Sequence, residues 1–235
     1  MEVKNNNNHS LCDDLQKKDH KIDAQDFLVV EYDDYFEVLN GKKIRSKDLG
    51  NKFASLNAFF FDYLKEYNIP STFFKNFDGN KLKFLKYDRF PFYVKVLNTV
   101  DKRTSKLFCR KEGEHLNLPM MEFHIGDGKD SLISESHIIS FEICNGEDLK
   151  LISRICSKVN VVLKSFFERR NFFLAEFCCH FGKCEDKIYL VDDFSPKSIK
   201  IIPFDTNGKW HDPYKLTTSS GIKNYTDELM NLISA

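Results

Sequence analysis

Two apolar rhythms alternate along the chain. "FLVVEY" (27–32) is an almost unbroken apolar run of strand length and reads as a buried strand, "YFEVL" (35–39) reads as a second strand, and "NGKK" (40–43) as a turn. The spacing then changes. Phe53, Leu56, Phe59, Phe60, Tyr63 and Leu64 recur at helical intervals, which predicts a helix with one apolar face that stops before Pro70. "STFFKNF" (71–77), "KLKFLKY" (81–87) and "FYVKVLN" (92–98) read as three strands separated by turn residues, and "PMMEFHI" (119–125) as another. The clearest helix follows at 145–170. Asn145 is placed to cap it, Asp148 lies in its first turn, and Leu149, Ile152, Ile155, Val159, Leu163 and Phe166 form its apolar stripe. Arg169 and Arg170 fall at its end, where the helix dipole favours positive charge. "FFLAEFCCHFG" (172–182) and "KIYLVDD" (187–193) read as a hairpin joined by "KCED", "IKIIPF" (199–204) as a further strand, and "YTDELMNLIS" (225–234) as a short final helix. The pattern is α+β, strand-rich first and helix-plus-hairpin later, with no internal repeat.

Composition narrows the class. The 235 residues carry 35 Lys and Arg against 35 Asp and Glu, so bulk charge implies no basic face and nucleic acid is not an expected partner. No apolar run approaches the length of a membrane span, and "MEVKNNNNHSLCDD" has no apolar signal core. Seven cysteines without framework spacing point to reduced thiols and a cytoplasmic location. Residues 1–26 are polar with an Asn run, and are expected to lack stable structure or to form a weak edge.

Candidate chemistry concentrates in "LAEFCCHFGKCEDKIYLVDDFSPKS" (174–198). On a strand, Glu176, Cys178 and His180 share one face and Cys179 takes the other, so "CCH" does not offer three ligands to one ion. Adjacent cysteines are also poorly placed for a redox pair. Glu176, Cys178 and His180, joined by Asp192 or Asp193 from the partner strand, would form a pocket of carboxylate, thiol and imidazole, suited to a divalent cation or a phosphate-bearing ligand.

The same segments, taken in order, resemble SAICAR synthetase, the phosphoribosylaminoimidazole-succinocarboxamide synthase family. "LAEFCCHFG" followed by "VDDFSPKS" is similar to the family's "LVDFKLEFG" and "DEFSPDG". "LVVEYDDYFEVLNGKK" resembles "LLVEFKDDATAFNGKK", "FFFDYLKEYNIPSTFF" resembles "FIFEYLEEHGIPTHFV", and "VKVLN" stands where the family has "VVVRN". The likeness runs from about Phe27 to the last helix. It implies a two-lobed α+β fold with antiparallel sheets, packed helices and an ATP-binding cleft between lobes. The lobes would be residues 27–90, β-rich with one helix, and 91–235. It also implies ATP and magnesium as cofactors, a purine-biosynthetic ligation of aspartate to a carboxylated aminoimidazole ribotide, and nucleotide and ribotide ligands as partners.

Carried over position by position, the resemblance places metal binding at His180 and Asp192, where the family has Glu and Asp. Glu176, Cys178, Lys200 and Asn40 fall at catalytic positions, and Asn98, Lys102, Arg103 and Asp130 at ligand-binding positions. Several of these are changed. The family's Lys is Cys178, its Arg is Leu97, its Gly-Ser is Lys102-Arg103, and the Asp of "SPD" is Lys197. In the glycine-rich "LYEGKAK" turn, Asp14 replaces Gly and Leu15 replaces Lys. Three readings follow. One is a member of the family with impaired or lost catalysis, acting as a binding or partner protein. The second is a working ligase with a rebuilt site, with His180 and Asp192 on metal and Lys102, Arg103 and Lys200 on phosphate. The third is a metal- or redox-sensing protein built on the cysteines.

Overall fold

The computed structural model describes residues 27–38, 42–126, 131–191, 193–205 and 210–234. The N-terminal segment 1–26, including the Asp14 and Leu15 positions, lies outside them.

The first sheet is three-stranded. β1 (Phe27–Glu31) and β4 (Phe73–Asp78) flank β5 (Lys81–Leu85), all antiparallel. β1 is an edge strand and not the buried strand that its apolar run predicts: Leu28 and Val29 are 42% and 43% exposed. An apolar run does not by itself say how many faces of a strand are covered. β2 (Tyr35–Glu37) and β3 (Lys43–Arg45) form a separate ribbon.

Helix α1 (Leu49–Glu66) buries Phe53, Leu56, Phe60, Phe61 and Leu64, while Phe59 and Tyr63 are only partly covered. Its N-terminus is held from outside the helix, where the Gly50 amide donates to Asp34 Oδ1 at 2.9 Å. A Cβ on Gly50 would lie 2.1 Å from the Tyr32 carbonyl oxygen, so only glycine lets the loop pass this closely. Buried Asn57 then ties α1 to the segment after the hairpin, accepting the Phe194 amide at 2.6 Å.

The larger sheet carries the site. Its order is β10 (Lys187–Val191), β9 (Phe172–Cys184), β6 (Asp88–Thr99), β7 (His115–His124) and β8 (Leu132–Ile133), with β11 (Ile199–Pro203) also paired to β9. β9 and β10 form the expected hairpin, but Lys183 and Cys184 belong to the strand. The turn is Glu185-Asp186 alone, both at positive φ (47° and 62°), as a two-residue hairpin turn requires. β6 and β7 start earlier than the sequence predicts. The expected lobe boundary at residue 90 falls inside β6.

Helix α4 (Gly146–Glu168) covers the sheet's inner face with its whole predicted stripe. Asn145 caps it, accepting the Asp148 amide at 2.8 Å. Arg170 donates to the Phe166 carbonyl in the last turn, as the dipole argument expects. Two short helices, α2 (Lys102–Phe108) and α3 (Glu135–Ser140), each opened by a capping box, were not legible from periodicity. α5 (Ser219–Ser234) begins six residues before its apolar pattern suggests. The two sheets meet where Ser71 bridges Leu190 and the Leu190 amide donates to the Pro70 carbonyl.

Candidate functional site

Side chains on β6 alternate between the core and the opposite face. Phe92, Val94 and Val96 are buried under α4 with Phe177, Cys179 and Phe181 of β9. Tyr93 and Lys95 point the other way, and register carries that face across four strands. Tyr93 stands between His124 and His180, and Lys95 between Glu122 and Cys178. On β11, Lys200 sits opposite Glu176.

Glu176, Cys178 and His180 therefore share a face as the strand period predicts, and Cys179 lies in the core beside Cys156. Burial raises the Cys178 thiol to about 12, and the Glu176 charge adds to this. Burial likewise lifts Cys179 well above the ordinary thiol range. Both thiols stay protonated at neutral pH, which suits neither a thiolate ligand nor a redox nucleophile. Among the described residues, no group of three His, Cys, Asp or Glu side chains is placed to hold a metal ion.

The charges on this face are paired with one another. Lys95 Nζ lies 3.0 Å from Glu176 Oε2 and 3.6 Å from Asp101 Oδ2. Burial opposes the Lys95 charge, but Glu176 first and Asp101 next hold its pKa above the ordinary lysine range. Arg103 pairs with Glu122, which also bonds His124 at 3.3 Å. Burial pushes the Glu122 carboxyl up, and His124 and Arg103 outweigh it, so the carboxylate form is favoured. Lys200 is partly buried, and its ammonium donates to the Pro196 carbonyl at 2.6 Å. Burial lowers its pKa to about 8, against the pull of Glu176.

The remaining predicted residues are placed as follows. Asn98 is 2% exposed and exchanges both amide hydrogen bonds with Asn160 of α4, at 2.8 and 3.0 Å, so it acts inside the core. Lys102 is exposed on α2 beside Arg103. Asp193 accepts from Ser195 Oγ at 2.7 Å and from Asn57 Nδ2 at 3.4 Å. Asn40, Asp130 and Asp192 lie outside the described residues.

His180 has an unforeseen neighbour. Arg89 Nη2 is 2.7 Å from His180 Nδ1. A guanidinium only donates, so Nδ1 accepts and the ring proton sits on Nε2. In this arrangement neither ring nitrogen has a lone pair for a cation, and a fixed positive charge adjoins the ring. Magnesium prefers six oxygen ligands, and His180 does not fit it. Tyr93 stacks 5.2 Å from His124 at 13° and 5.2 Å from His180 at 36°. Arg89, Phe90, Tyr93 and His180 line a recess of about 270 Å³.

Sequence reasoning missed Arg89, Tyr93, Lys95, Asp101, Glu122 and His124. The polar residues at 93 and 95, alternating with Phe92, Val94 and Val96, were a visible signal. Their partners are set by cross-strand register, which periodicity does not supply.

Comparison with known proteins agrees with this architecture. The family model for SAICAR synthetase matches residues 16–215. The phosphoribosylaminoimidazole-succinocarboxamide synthase of Thermoanaerobacter sp. (strain X514) is 29% identical over 196 residues, covering 81% of this chain and 83% of its own. That of Clostridium kluyveri is 28% identical over 221 residues, covering 93% and 94%. Among solved structures, the type-1 crystal structure of SAICAR synthetase from Pyrococcus horikoshii OT3 superposes with a TM-score of 0.81 at 29% identity, over 91% of this chain and 95% of that one. A type-2 SAICAR synthetase in complex with ADP gives 0.82 at 29% identity, over 91% and 92%.

Proposed function

Since this chain belongs to the SAICAR synthetase family of purine biosynthesis, we propose that it keeps the family fold while its ligase turnover is impaired. The family is ATP-dependent, and its reaction would need a cation on the phosphates and cationic contacts for anionic substrates. The observation that carries the reading is the Arg89–His180 contact at 2.7 Å, a guanidinium at the ring where the resemblance expects a metal ligand. The paired cations support it: Lys95 is committed to Glu176 and Asp101, and Arg103 to Glu122. Each missing charge-assisted contact to substrate is worth about 1.5–3 kcal/mol. Two such losses cost about a hundredfold or more in rate, at roughly tenfold per 1.4 kcal/mol. The retained role in this reading is binding, of nucleotide or ribotide ligands or of a protein partner. Among the described residues Cys109, Cys144, Cys156, Cys178, Cys179 and Cys184 form no disulfide, and a cytoplasmic setting is part of the proposal. Among the described residues, no helix is long and apolar enough to cross a membrane.

One observation favours a working ligase instead. Lys95 stands where the family segment has Val, directly across from Cys178, which stands where the family has Lys. An ammonium lost from β9 is thus supplied from β6. A coupled assay with ATP, magnesium, aspartate and the carboxylated ribotide separates the two readings. Turnover at least about a hundredfold below that of a motif-complete relative, as the contact losses imply, is expected. Comparable turnover would overturn the impaired reading.

A further inference from the structure

We propose that this chain pairs with a second copy of itself, the Leu107 and Phe108 side chains of each copy entering a recess of the other at the edge of the larger sheet. This surface lies beside the candidate site, and the pairing is independent of whether ligase turnover is impaired.

Two features of one chain fit each other. The first is a projection. Leu107 and Phe108 end α2 and are each 64% exposed. Thr104 is the helix's one buried residue, so α2 gives the pair no cover of its own. An aliphatic and an aromatic side chain left bare side by side mark an interaction surface. The projection has a basic rim. Lys102 and Lys106 on the helix and Lys111 just beyond it are exposed, and among the described residues none of the three pairs with a carboxylate. Arg103 and Arg110, by contrast, are already paired, with Glu122 and Glu114.

The second feature is a recess. Among the described residues, β8 pairs with β7 only at Phe123 and His124. Beside that short reach lies a recess of about 470 Å³ walled by Met121, Phe123, Leu132 and Ile133. Its charged lining residues are both acidic, Glu122 and Glu135. Glu135 is exposed and, among the described residues, pairs with no cation. An apolar projection with unpaired lysines thus matches an apolar recess with an unpaired carboxylate, the apolar centre and charged rim of a protein interface. The folded chain does not fill its own recess, because Leu107 and Phe108 stay bare. The two features are nevertheless neighbours, since Arg103 of α2 bonds Glu122 in the recess lining. A two-fold axis between them lets both exchanges form at once and closes the assembly at two copies. The second copy would then stand beside Glu122 and shield that side of the site face.

The test is sedimentation velocity of the full chain over a concentration series. A dimer with a dissociation constant of about 10 μM or tighter is expected. Phe108→Glu puts a carboxylate on the projection, and Leu132→Lys puts an ammonium in the recess wall. Each should weaken self-association at least about twentyfold, as loss of an interface anchor does. Phe108 and Leu132 are 64% and 40% exposed, so both variants should fold, with circular dichroism as the check. Mixed in equal amounts, the two variants should associate with each other more tightly than either does with itself. The mixed pair keeps one intact exchange, and the other sets the new carboxylate opposite the new ammonium. A wild-type chain that stays monomeric throughout the series overturns the proposal. So does a dimer that Phe108→Glu leaves unchanged, or a mixture no tighter than its separate components.

Discussion

At the residue scale, the site is built around a half-buried ion pair, with Lys95 Nζ 3.0 Å from Glu176 Oε2. The Lys95 and Glu176 side chains are 20% and 11% exposed, so removing one leaves the other charge with little water to replace its partner. Lys95→Met should destabilise the fold by about 3 kcal/mol in urea denaturation, whereas Lys95→Met with Glu176→Met should be milder than Lys95→Met alone. A double variant as unstable as the sum of the singles would contradict the pairing. Lys200 gives a test of opposite character. Its folded pKa, lowered by burial to about 8, lies below that of an unfolded lysine. Below about 8 both states hold the proton and the cost of the buried charge is fully present. From there up to the ordinary lysine range the folded chain releases the proton first, so this residue's contribution to stability rises with pH. Wild type should therefore gain stability relative to Lys200→Met between neutral pH and about pH 9. A parallel pair of stability curves would dispose of the buried ammonium.

At the element scale, strong periodicity was legible and local chemistry was not. The stripe and cap of α4 could be read residue by residue because 23 residues keep one face against the sheet. Asn145→Ala should cost about 1 kcal/mol, measured as a shift in the denaturation midpoint. α2 and α3 escaped because seven and six residues are too few to show a period, and their starts are fixed by local capping boxes. β1 misled because an apolar run cannot report how much of a strand is covered, and the adjacent Leu28 and Val29, on opposite faces, are both exposed. Gly50 was silent for a similar reason. Its role is a carbonyl from a distant loop, so Gly50→Ala, ordinarily favourable in a helix, should here destabilise by about 2 kcal/mol. The site was legible where it followed strand alternation, as for Glu176, Cys178 and His180. It was opaque wherever register chose the partner, as for Lys95, Glu122 and Arg89.

At the scale of the whole molecule, the family fold is kept, and the proposal is that the electrostatics of one sheet face differ from the family's. The fold rests on core contacts such as those of α4 with β6 and β9, and on the Asn98–Asn160 exchange, none of which requires a catalytic residue. Fold and activity can separate, because function lives in a few side chains carried by a fold and not in the fold itself. On the proposed reading, the protein's own Arg89 guanidinium stands at the His180 ring, where the family resemblance expects a metal ligand. The most direct measurement is a crystal structure grown with ADP and manganese, reading the metal from its anomalous signal. The account expects Arg89 still on His180 and no metal peak beside the ring. A bound ion with near-octahedral oxygen ligands at about 2.1 Å, with Arg89 turned away, would contradict it.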